Sequence, residues 1–419
     1  MARTGASTPD DQYDRTTPVL ILKMGAQPIH HGTLGVIRSF GRAGVPVYSS
    51  REAGASPAAR SRYLSTDAIG VLSPLDAELA VAQLKAFQRR VGRPVVTIPV
   101  DDNGALFLVD HADVLRPEFL LPAQKPDLLR TAASKADHQQ LCVEAGAVTP
   151  RTHVIRTAAD LEIAGAAVGY PAVVKIAQPW LLPPGFPPIA LAGDMQEAAE
   201  YRAQLQDQST ADIIIQEYIP DDQAEDWFYH GYCKEGGESV VGFTGRKLRS
   251  YPPFRGATSY GLSAINDDVV EISQSLLRKL QYAGIVELEF RFDKRDGQYK
   301  LIDFNPRLGA QFQFLRSEAG VDVVRAAHLD LTGRPVPQGR QVEGCAFLSD
   351  FTDAAAFSAY WRRGMVSPGQ WLRQVVTAEE HAWFALDDLQ PFTAACGYSA
   401  KRLLSAARRS WRTPSRPSI

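Results

Sequence analysis

Apolar segments alternate with amphipathic segments along the first third of the chain. Residues 18–25, 45–50 and 93–102 are apolar runs of the length expected for buried strands. The segments 32–44 and 76–91 lie between these strands and have the spacing of helices. Strands that alternate with helices predict a parallel-sheet, Rossmann-like α/β domain over residues 18–125.

The glycines of this domain do not favour a dinucleotide site. Gly25, Gly32 and Gly35 lack the Gly-x-Gly-x-x-Gly spacing that brings the backbone against a pyrophosphate. We therefore expect the strand ends to face a substrate instead. His30 and His31 follow the first strand and are expected to be loop residues, because no third metal ligand stands at a suitable spacing.

The rest of the chain has a different order of elements. Residues 126–340 contain strands that are less regularly separated by helices, which predicts an antiparallel α+β sheet. Residues 179–188 are rich in proline and are not expected to form regular structure. Residues 341–419 are predicted to be a mostly helical extension.

Composition narrows the class of protein. The 419 residues have a net charge of −2, which favours neither nucleic acid nor a membrane surface as a partner. The four cysteines lie far apart, as is typical of reduced cytoplasmic proteins. Residues 1–18 have no apolar core, so a disordered lead-in is expected rather than a signal peptide. The predicted location is cytoplasmic.

The C-terminal tail is basic. From Leu389 onward the chain has no acid and has six bases. These are Lys401, Arg402, Arg408, Arg409, Arg412 and Arg416. A solvated helix with a frayed end is the favoured interpretation, and contact with an acidic lipid or polymer surface is the alternative.

Polar side chains recur on two apolar segments, GIVELEFRFD and YKLIDFNPR. A hairpin with a three-residue loop that ends at Gly297 places Glu289 opposite Asp303, and Glu287 opposite Asn305. Two opposed carboxylates repel each other unless a cation lies between them. Such hard oxygen donors suit Mg²⁺, whereas the alternative is an exposed strand face with unrelated acids.

Basic residues could complement this site if the substrate is a nucleoside triphosphate. Lys175 lies within an apolar strand, where a lysine is costly without a partner. Lys135 is predicted to open a helix, at the end that attracts anions. Lys247 and Arg249 lie on a basic strand, which is either a solvated edge or part of the site.

The order of these segments resembles the ATP-grasp superfamily, in particular its carboxylate–amine ligases. The resemblance covers about residues 126–335. Its motifs are SK at 134–135, YPAVVKIA at 170–177, IIIQEYIP at 213–220, GIVELEFRFD at 284–293 and LIDFNPR at 301–307. It implies a two-lobed ATP-grasp fold, with a small lobe over about residues 150–216, behind the Rossmann-like domain.

The resemblance also implies roles for single residues. ATP would be bound by the phosphate lysines Lys135 and Lys175, by the backbone of the hinge residues Glu217 and Ile219, and by Glu225 or its neighbour Asp226 at the ribose. Mg²⁺ or Mn²⁺ would be bound by Glu289, Asp303 and Asn305. Arg307, Lys247 and Arg249 would meet the transferred phosphoryl group, the acyl phosphate or the substrate carboxylate.

The implied activity is ATP-dependent amide formation between a carboxylate, expected to be an amino acid, and an amine, through an acyl phosphate. A kinase or carboxylase of the same fold and a non-catalytic nucleotide-binding module are the alternatives. A homodimer is the default expectation for such an enzyme.

One feature departs from many relatives: the segment that follows the second lysine strand is proline-rich, with Gly185 as its only glycine, so backbone amides for a phosphate lid are few.

Overall fold

The computed structural model describes residues 14–25, 29–50, 56–66 and 69–410. The predicted lead-in before residue 14 lies outside them, as do Arg412 and Arg416 of the basic tail and the side chains of residues 402–410. Among the described residues, no helix is both long and apolar enough to cross a bilayer.

A four-stranded parallel sheet forms the first domain, as predicted. Its strands lie in the order β2-β1-β3-β4, and each is buried between helices. The strands are β1 (Val19–Leu22), β2 (Val47–Ser49), β3 (Val95–Pro99) and β4 (Phe119–Leu120). The helices are α1 (His31–Arg42), α2 (Ala77–Val91), α3 (Asp102–Asp110) and α4 (Ala112–Leu115).

Two short helices, α5 (Pro126–Ala133) and α6 (His138–Glu144), lead into a small lobe. The lobe is a four-stranded antiparallel sheet in the order β5-β8-β6-β7, with two helices that cover its apolar face. Its elements are β5 (Thr152–Ile155), α7 (Ala159–Val168), β6 (Ala172–Ile176), β7 (Ile189–Ala192), α8 (Met195–Gln206) and β8 (Ile213–Glu217).

A seven-stranded sheet forms the large lobe, in the order β13-β12-β9-β10-β11-β14-β15. Every neighbouring pair is antiparallel except β14 and β15. The strands are β9 (Ala224–Cys233), β10 (Ser239–Tyr251), β11 (Ala257–Ser263), β12 (Gly284–Asp293), β13 (Gln298–Asn305), β14 (Ala346–Leu348) and β15 (Glu380–His381). The helices are α9 (Asp267–Leu280), α10 (Val323–Leu331), α11 (Asp350–Arg362), α12 (Pro368–Thr377) and α13 (Gln390–Ser410).

The segment predicted as a helical extension contributes to this sheet. Strands β14 and β15 come from it and extend the sheet beyond β11. These two strands are too short for an alternating pattern to show in the sequence. The extension is therefore part of the large lobe and not a separate appendage.

The large sheet has one apolar face and one mixed face. Tyr229, Leu288 and Phe290 lie on the apolar face, in a core with α9. The opposite face carries Glu289 and Asp303, and we call it the carboxylate face. One end of this face is closed by α1, α10 and the segment that follows β13, and polar side chains occupy the rest.

Candidate active site

The hairpin of β12 and β13 brings the predicted acidic side chains together. Glu289 lies directly opposite Asp303, and Glu287 lies opposite Asn305, as the sequence predicts. Directly opposed residues of an antiparallel pair point to the same face. All four side chains therefore share the carboxylate face, and Glu287 and Asn305 are buried there.

The turn of this hairpin differs from the prediction. Asp293 rather than Lys294 pairs with Gln298, so the loop is one residue longer than predicted. Gly297 has the expected positive φ, 70°. Ile302 has no partner on β12, and this β-bulge restores the predicted register before the carboxylates are reached.

Two lysines from different elements hold the two carboxylates. Lys247 of β10 forms an ion pair with Glu289, with a distance of 2.6 Å between Nζ and Oε2. Lys135 forms an ion pair with Asp303. Lys135 lies in the turn before α6, which begins at His138, so the helix that the sequence predicts starts later than expected.

Lys175 reaches the same place from the small lobe. Its ammonium group donates a 3.0 Å hydrogen bond to the carbonyl oxygen of Ile302, the bulged residue. Burial lowers the pKa of Lys175 to about 8, although the nearby charge of Asp303 opposes this shift. A lysine in this position gains a strong partner only when an additional anion is present.

The two carboxylates have opposite shifts of pKa. Burial alone would raise the pKa of Asp303, but the charges of Lys135 and Lys175 outweigh it and hold this pKa well below its usual range. Burial raises the pKa of Glu289, and the like charges of Glu287 and Asp303 add to the effect. An additional positive charge beside Glu289 would therefore stabilise its ionised carboxylate.

The donor set fits a magnesium ion that is shared with a nucleotide. Glu289, Asp303 and Asn305 offer hard oxygen donors from neighbouring strands. Within the described part of the chain, no three acidic, histidine or cysteine side chains converge into a complete metal site. Mg²⁺ commonly takes one or two carboxylates and completes its shell with phosphate oxygens and water, so two carboxylates and one amide oxygen are compatible with this ion.

Arg307 lies at the edge of this cluster and is held on three sides. Its guanidinium group donates to Asp102 of α3 at 3.1 Å and to Asn305 at 3.2 Å, and it lies 3.5 Å from Glu287. Burial would lower the pKa of Arg307, but the charges of Asp102 and Glu287 outweigh it and raise this pKa. Arg307 therefore links the large lobe to the first domain with its charge intact.

Glu287 has partners that the sequence analysis missed. Gln311 donates to its carboxylate at 2.6 Å, Asn305 donates at 3.3 Å, and the Nε2 atom of His230 lies 3.4 Å away. His230 comes from β9 and Gln311 from the segment after β13, and these two were not predicted, whereas Asn305 lies opposite Glu287 as the sequence predicts. The sequence contains one signal for such partners. Glu287 lies in an apolar strand with no basic residue beside it, and a buried acid requires hydrogen-bond partners from elsewhere in the chain.

Arg249 does not join the carboxylate face. Leu248 is bulged in the pairing of β10 with β11, so Arg249 lies opposite Tyr260 and points to the other side of the sheet. Its guanidinium group forms two hydrogen bonds with the buried Asp353 of α11, at 2.8 and 2.9 Å. Arg249 thus attaches the C-terminal segment to the sheet, and we do not retain it in the site.

The alternation of β9 separates Glu225 from Asp226. Asp226 lies directly opposite Lys247, and so it shares the carboxylate face with Glu289. Glu225 points to the other face, where its carboxylate pairs with Arg246 at 3.2 Å. Of the two residues predicted as the ribose-binding acid, Asp226 is the one on the carboxylate face, where its carboxylate pairs with Arg291 at 3.0 Å.

The predicted hinge lies at the end of β8. The Glu217 carboxylate binds Arg151 at 3.2 Å and Arg295 at 2.8 Å, which connects the small lobe to the β12–β13 loop. The N–H group of Glu217 donates a hydrogen bond to the carbonyl oxygen of Arg151. Ile219 follows the strand and is buried. The N–H group of Glu217 is thus already paired, and a contact of this segment with a nucleotide stays a prediction.

The proline-rich segment between β6 and β7 packs against the first domain. It begins with a short 3-10 turn, Pro179–Leu181, and Gly185 has a φ of 83°. Trp180 packs against Leu106 and Val109 of α3 and against Leu129 of α5. Many ATP-grasp proteins are expected to have a flexible glycine-rich loop at this position. In this chain, the segment is instead fixed by the contact of Trp180 with α3 and α5.

Comparisons with known proteins reveal distant similarities. No family model matches the chain. A 107-residue segment is 25% identical to D-aspartate ligase from Enterococcus faecium strain Aus0004, and this match spans 25% of each chain. N5-carboxyaminoimidazole synthetase from Staphylococcus aureus complexed with ADP superposes with a TM-score of 0.59 and 12% identity, over 83% of this chain and 86% of the other. Biotin carboxylase from Campylobacter jejuni, in a complex with an ATP analogue, superposes with a TM-score of 0.57 and 15% identity, over 77% and 73%.

Proposed function

We propose that this chain, which has the ATP-grasp fold, is an ATP-dependent ligase that joins a carboxylate to an amine. The observation that carries the proposal is the pairing of Glu289 with Asp303 across β12 and β13, with Lys175 from the small lobe directed at the same strand. This is a site for a metal-bound triphosphate between two lobes.

ATP would lie between the small lobe and the carboxylate face. Lys135 and Lys175 are placed to bind its phosphates, because both ammonium groups lie beside Asp303 and its strand. The adenine would meet the backbone that follows β8, at Glu217 and Ile219. The ribose would bind Asp226, which faces the same space. ATP can then displace the Lys135–Asp303 contact and release the carboxylate for the metal.

Mg²⁺ or Mn²⁺, held by Glu289, Asp303 and Asn305, would neutralise charge on the phosphate oxygens. The protein's own residues orient the reactants around it. Lys247 now balances Glu289 and can turn to a phosphate oxygen when a divalent ion takes its place. Arg307 presents a planar guanidinium group that suits either a carboxylate or a phosphoryl group.

The reaction would proceed in two steps. In the first, a carboxylate oxygen of the substrate attacks the γ-phosphorus atom of ATP, and the bond to ADP breaks. In the second, an amine nitrogen attacks the acyl carbon, and phosphate departs with the electron pair and a proton of the amine. The protein supplies position and charge and no nucleophilic side chain, so proximity can contribute roughly 7–11 kcal/mol.

The carboxylate substrate is proposed to be an amino acid. The similarity to D-aspartate ligase, although it covers a quarter of that chain, supports D-aspartate as the first acid to test. Bicarbonate is the second candidate acid to test, because a carboxylase of the same fold is the alternative activity. The catalytic site itself would be the same in both cases.

A screen of ADP release tests the proposal. The purified protein is incubated with ATP, Mg²⁺ and either D-aspartate, other amino acids or bicarbonate, with and without a pool of amino acids as amines. ADP release that requires both an acid and an amine, with an amide found by mass spectrometry, is the expected result. ADP release with bicarbonate alone indicates a carboxylase, and the absence of release under every condition contradicts an enzyme.

A further inference from the structure

The loop between β10 and β11, residues 252–256, has a strained backbone. Phe254 has a φ of 68°, in the left-handed region that residues other than glycine rarely adopt. Gly256 passes so close to the start of the loop that a Cβ atom on it would lie 2.0 Å from the backbone of Tyr251. Strained backbone persists only where other contacts hold it, and it is concentrated at binding and catalytic sites. The loop is therefore a candidate for a role in the site.

The C-terminal segment supplies the contacts that hold this loop. The hydroxyl group of Tyr360, on α11, accepts hydrogen bonds from the N–H groups of Phe254 at 3.2 Å and of Ser250 at 2.9 Å. The ring of Phe254 also contacts the ring of Tyr360, with 4.4 Å between the centroids, and the guanidinium group of Arg363 lies 3.8 Å from its centroid. These contacts fix Phe254, so they also fix the backbone of the next residue, Arg255.

The loop lies over the carboxylate face. Lys247 donates a 3.4 Å hydrogen bond to the carbonyl oxygen of Gly256, and the same ammonium group forms the ion pair with Glu289. A single lysine thus connects the backbone of the loop to the proposed metal site. The side chains of Glu289 and Asp303 are 19% and 20% exposed, so this part of the face is open to a ligand.

Arg255 lies between the two anchored residues of the loop and is exposed. Among the described residues, its guanidinium group has no hydrogen-bond or ion-pair partner. The neighbouring arginines differ, because Arg246, Arg249 and Arg363 each form an ion pair with an acid. Consecutive Cα atoms are about 3.8 Å apart, so the long side chain of Arg255 starts next to Gly256 and can reach the space in front of the carboxylates.

We propose that Arg255 binds a phosphate oxygen of the nucleotide beside Lys247, and that the C-terminal segment is the support that positions it. The inference rests on the proposed function and adds a residue to its nucleotide site. Lys135 and Lys247 each balance a carboxylate of the face, whereas the charge of Arg255 is available to phosphate. A guanidinium group suits this ligand, because two of its N–H groups can bind two oxygen atoms at once.

Calorimetric titration with ATP and Mg²⁺ tests the proposal on the wild type, Arg255→Met and Arg278→Met. Arg278 is the matched control, since it is an exposed arginine on α9, which packs on the other face of the sheet. Arg255→Met should bind ATP about tenfold more weakly or worse, because a charge-assisted contact is lost, and Arg278→Met should stay within about twofold of the wild type. Thermal denaturation should give the same stability for all three proteins, because neither arginine is buried.

An ATP affinity of Arg255→Met within twofold of the wild type overturns the proposal. Equal losses of affinity in Arg255→Met and Arg278→Met also overturn it, because they would reflect the net charge of the protein and not a contact. A wild type that binds no ATP overturns this inference together with the proposed function. A wild type that binds ATP but releases no ADP with any acid and amine overturns the ligase function alone.

Tyr360→Phe tests the support, since it keeps the ring and removes the hydroxyl group that two N–H groups of the chain use. ATP binding should weaken about threefold or more in Tyr360→Phe alone. Added to Arg255→Met, the same substitution should change the affinity by less than about twofold, because Tyr360 acts on the nucleotide through Arg255. An equal effect in both backgrounds would overturn the positioning role.

Discussion

The ammonium group of Lys175 in the small lobe donates a 3.0 Å hydrogen bond to the carbonyl oxygen of Ile302 in the large sheet. Ile302 is the bulged residue of β13, and a bulge leaves backbone groups outside the ladder. The irregularity that aligns Glu289 with Asp303 thus also supplies a contact between the lobes, in addition to the pair of Glu217 with Arg295. The bond from Lys175 to Ile302 links the lysine that we propose binds the nucleotide to the strand that we propose binds the metal.

Lys175→Met should make the protein more stable and bind ATP less well. The folded-state pKa of Lys175 is about 8, below its ordinary value of 10.5. The buried charge therefore destabilises the folded state at pH 7, by about 1–3 kcal/mol. As pH rises from about 8 toward 10.5, the folded state releases this proton before the unfolded state does, so the penalty is progressively lost.

Denaturation by urea at pH 7 and at pH 10 checks this expectation, and the advantage of Lys175→Met should be larger at pH 7. ATP affinity by calorimetry should fall about tenfold or more, since a charge-assisted contact with phosphate is lost. Lys234→Met is the matched control, because Lys234 forms an exposed 3.8 Å ion pair with Asp330. Lower stability together with unchanged ATP affinity would contradict the account.

Asp226 and Glu225 should differ in their effect on nucleotide binding, because adjacent residues of β9 point to opposite faces. Asp226→Ala should weaken ATP binding by about tenfold, whereas Glu225→Ala should leave it within about twofold. Calorimetric titration of both variants with ATP measures the difference. The assignment is wrong if Glu225→Ala has the larger effect.

Arg249 should matter for stability rather than for chemistry. Both it and Asp353 are buried, and breaking such a pair leaves one charge without a partner. Arg249→Met should therefore lower the free energy of unfolding by about 3–5 kcal/mol. Thermal denaturation gives the measurement, and the affinity of the folded variant for ATP should remain that of the wild type. A variant of normal stability that no longer binds ATP would return Arg249 to the site.

Trp180→Ala should uncouple ATP use from product formation. Trp180 fixes the proline-rich segment against α3 and α5, and an acyl phosphate is hydrolysed where water enters. The ratio of ADP released to amide formed should be close to one in the wild type and should rise in the variant. Trp361→Ala is the control, since Trp361 is 53% exposed on α11. Equal ratios in all three proteins would show that the contact does not exclude water.

Strand alternation allowed the central pair of carboxylates to be predicted from sequence. The pattern around Glu289 and Asp303 is regular enough that their register was right even with the loop one residue too short. The bulge at Ile302 compensates for the extra loop residue. A bulge adds one residue without a clear sign in the sequence, so neither the loop length nor the Lys175 contact could be predicted.

The same limit explains the errors at other positions. Lys247 and Arg249 are two residues apart and would share a face in a regular strand, but the bulge at Leu248 turns Arg249 to the other side. The close approach of Gly32 in α1 to Ala310, and of Gly309 to Glu287, joins segments that are far apart in the chain. Contacts of that kind depend on tertiary structure and leave no local pattern.

The most direct test of the account is ADP release by Asp303→Asn. Asn keeps the size of the side chain but removes the negative charge that is to hold the metal beside Glu289. Asp296→Asn, in the exposed loop of the same hairpin, is the control. With ATP, Mg²⁺ and the acid and amine found in the screen, Asp303→Asn should lose at least about 99% of ADP release while it keeps its fold and Asp296→Asn remains active. ADP release by Asp303→Asn at close to the wild-type rate would contradict the proposed metal site and the ligase mechanism built on it.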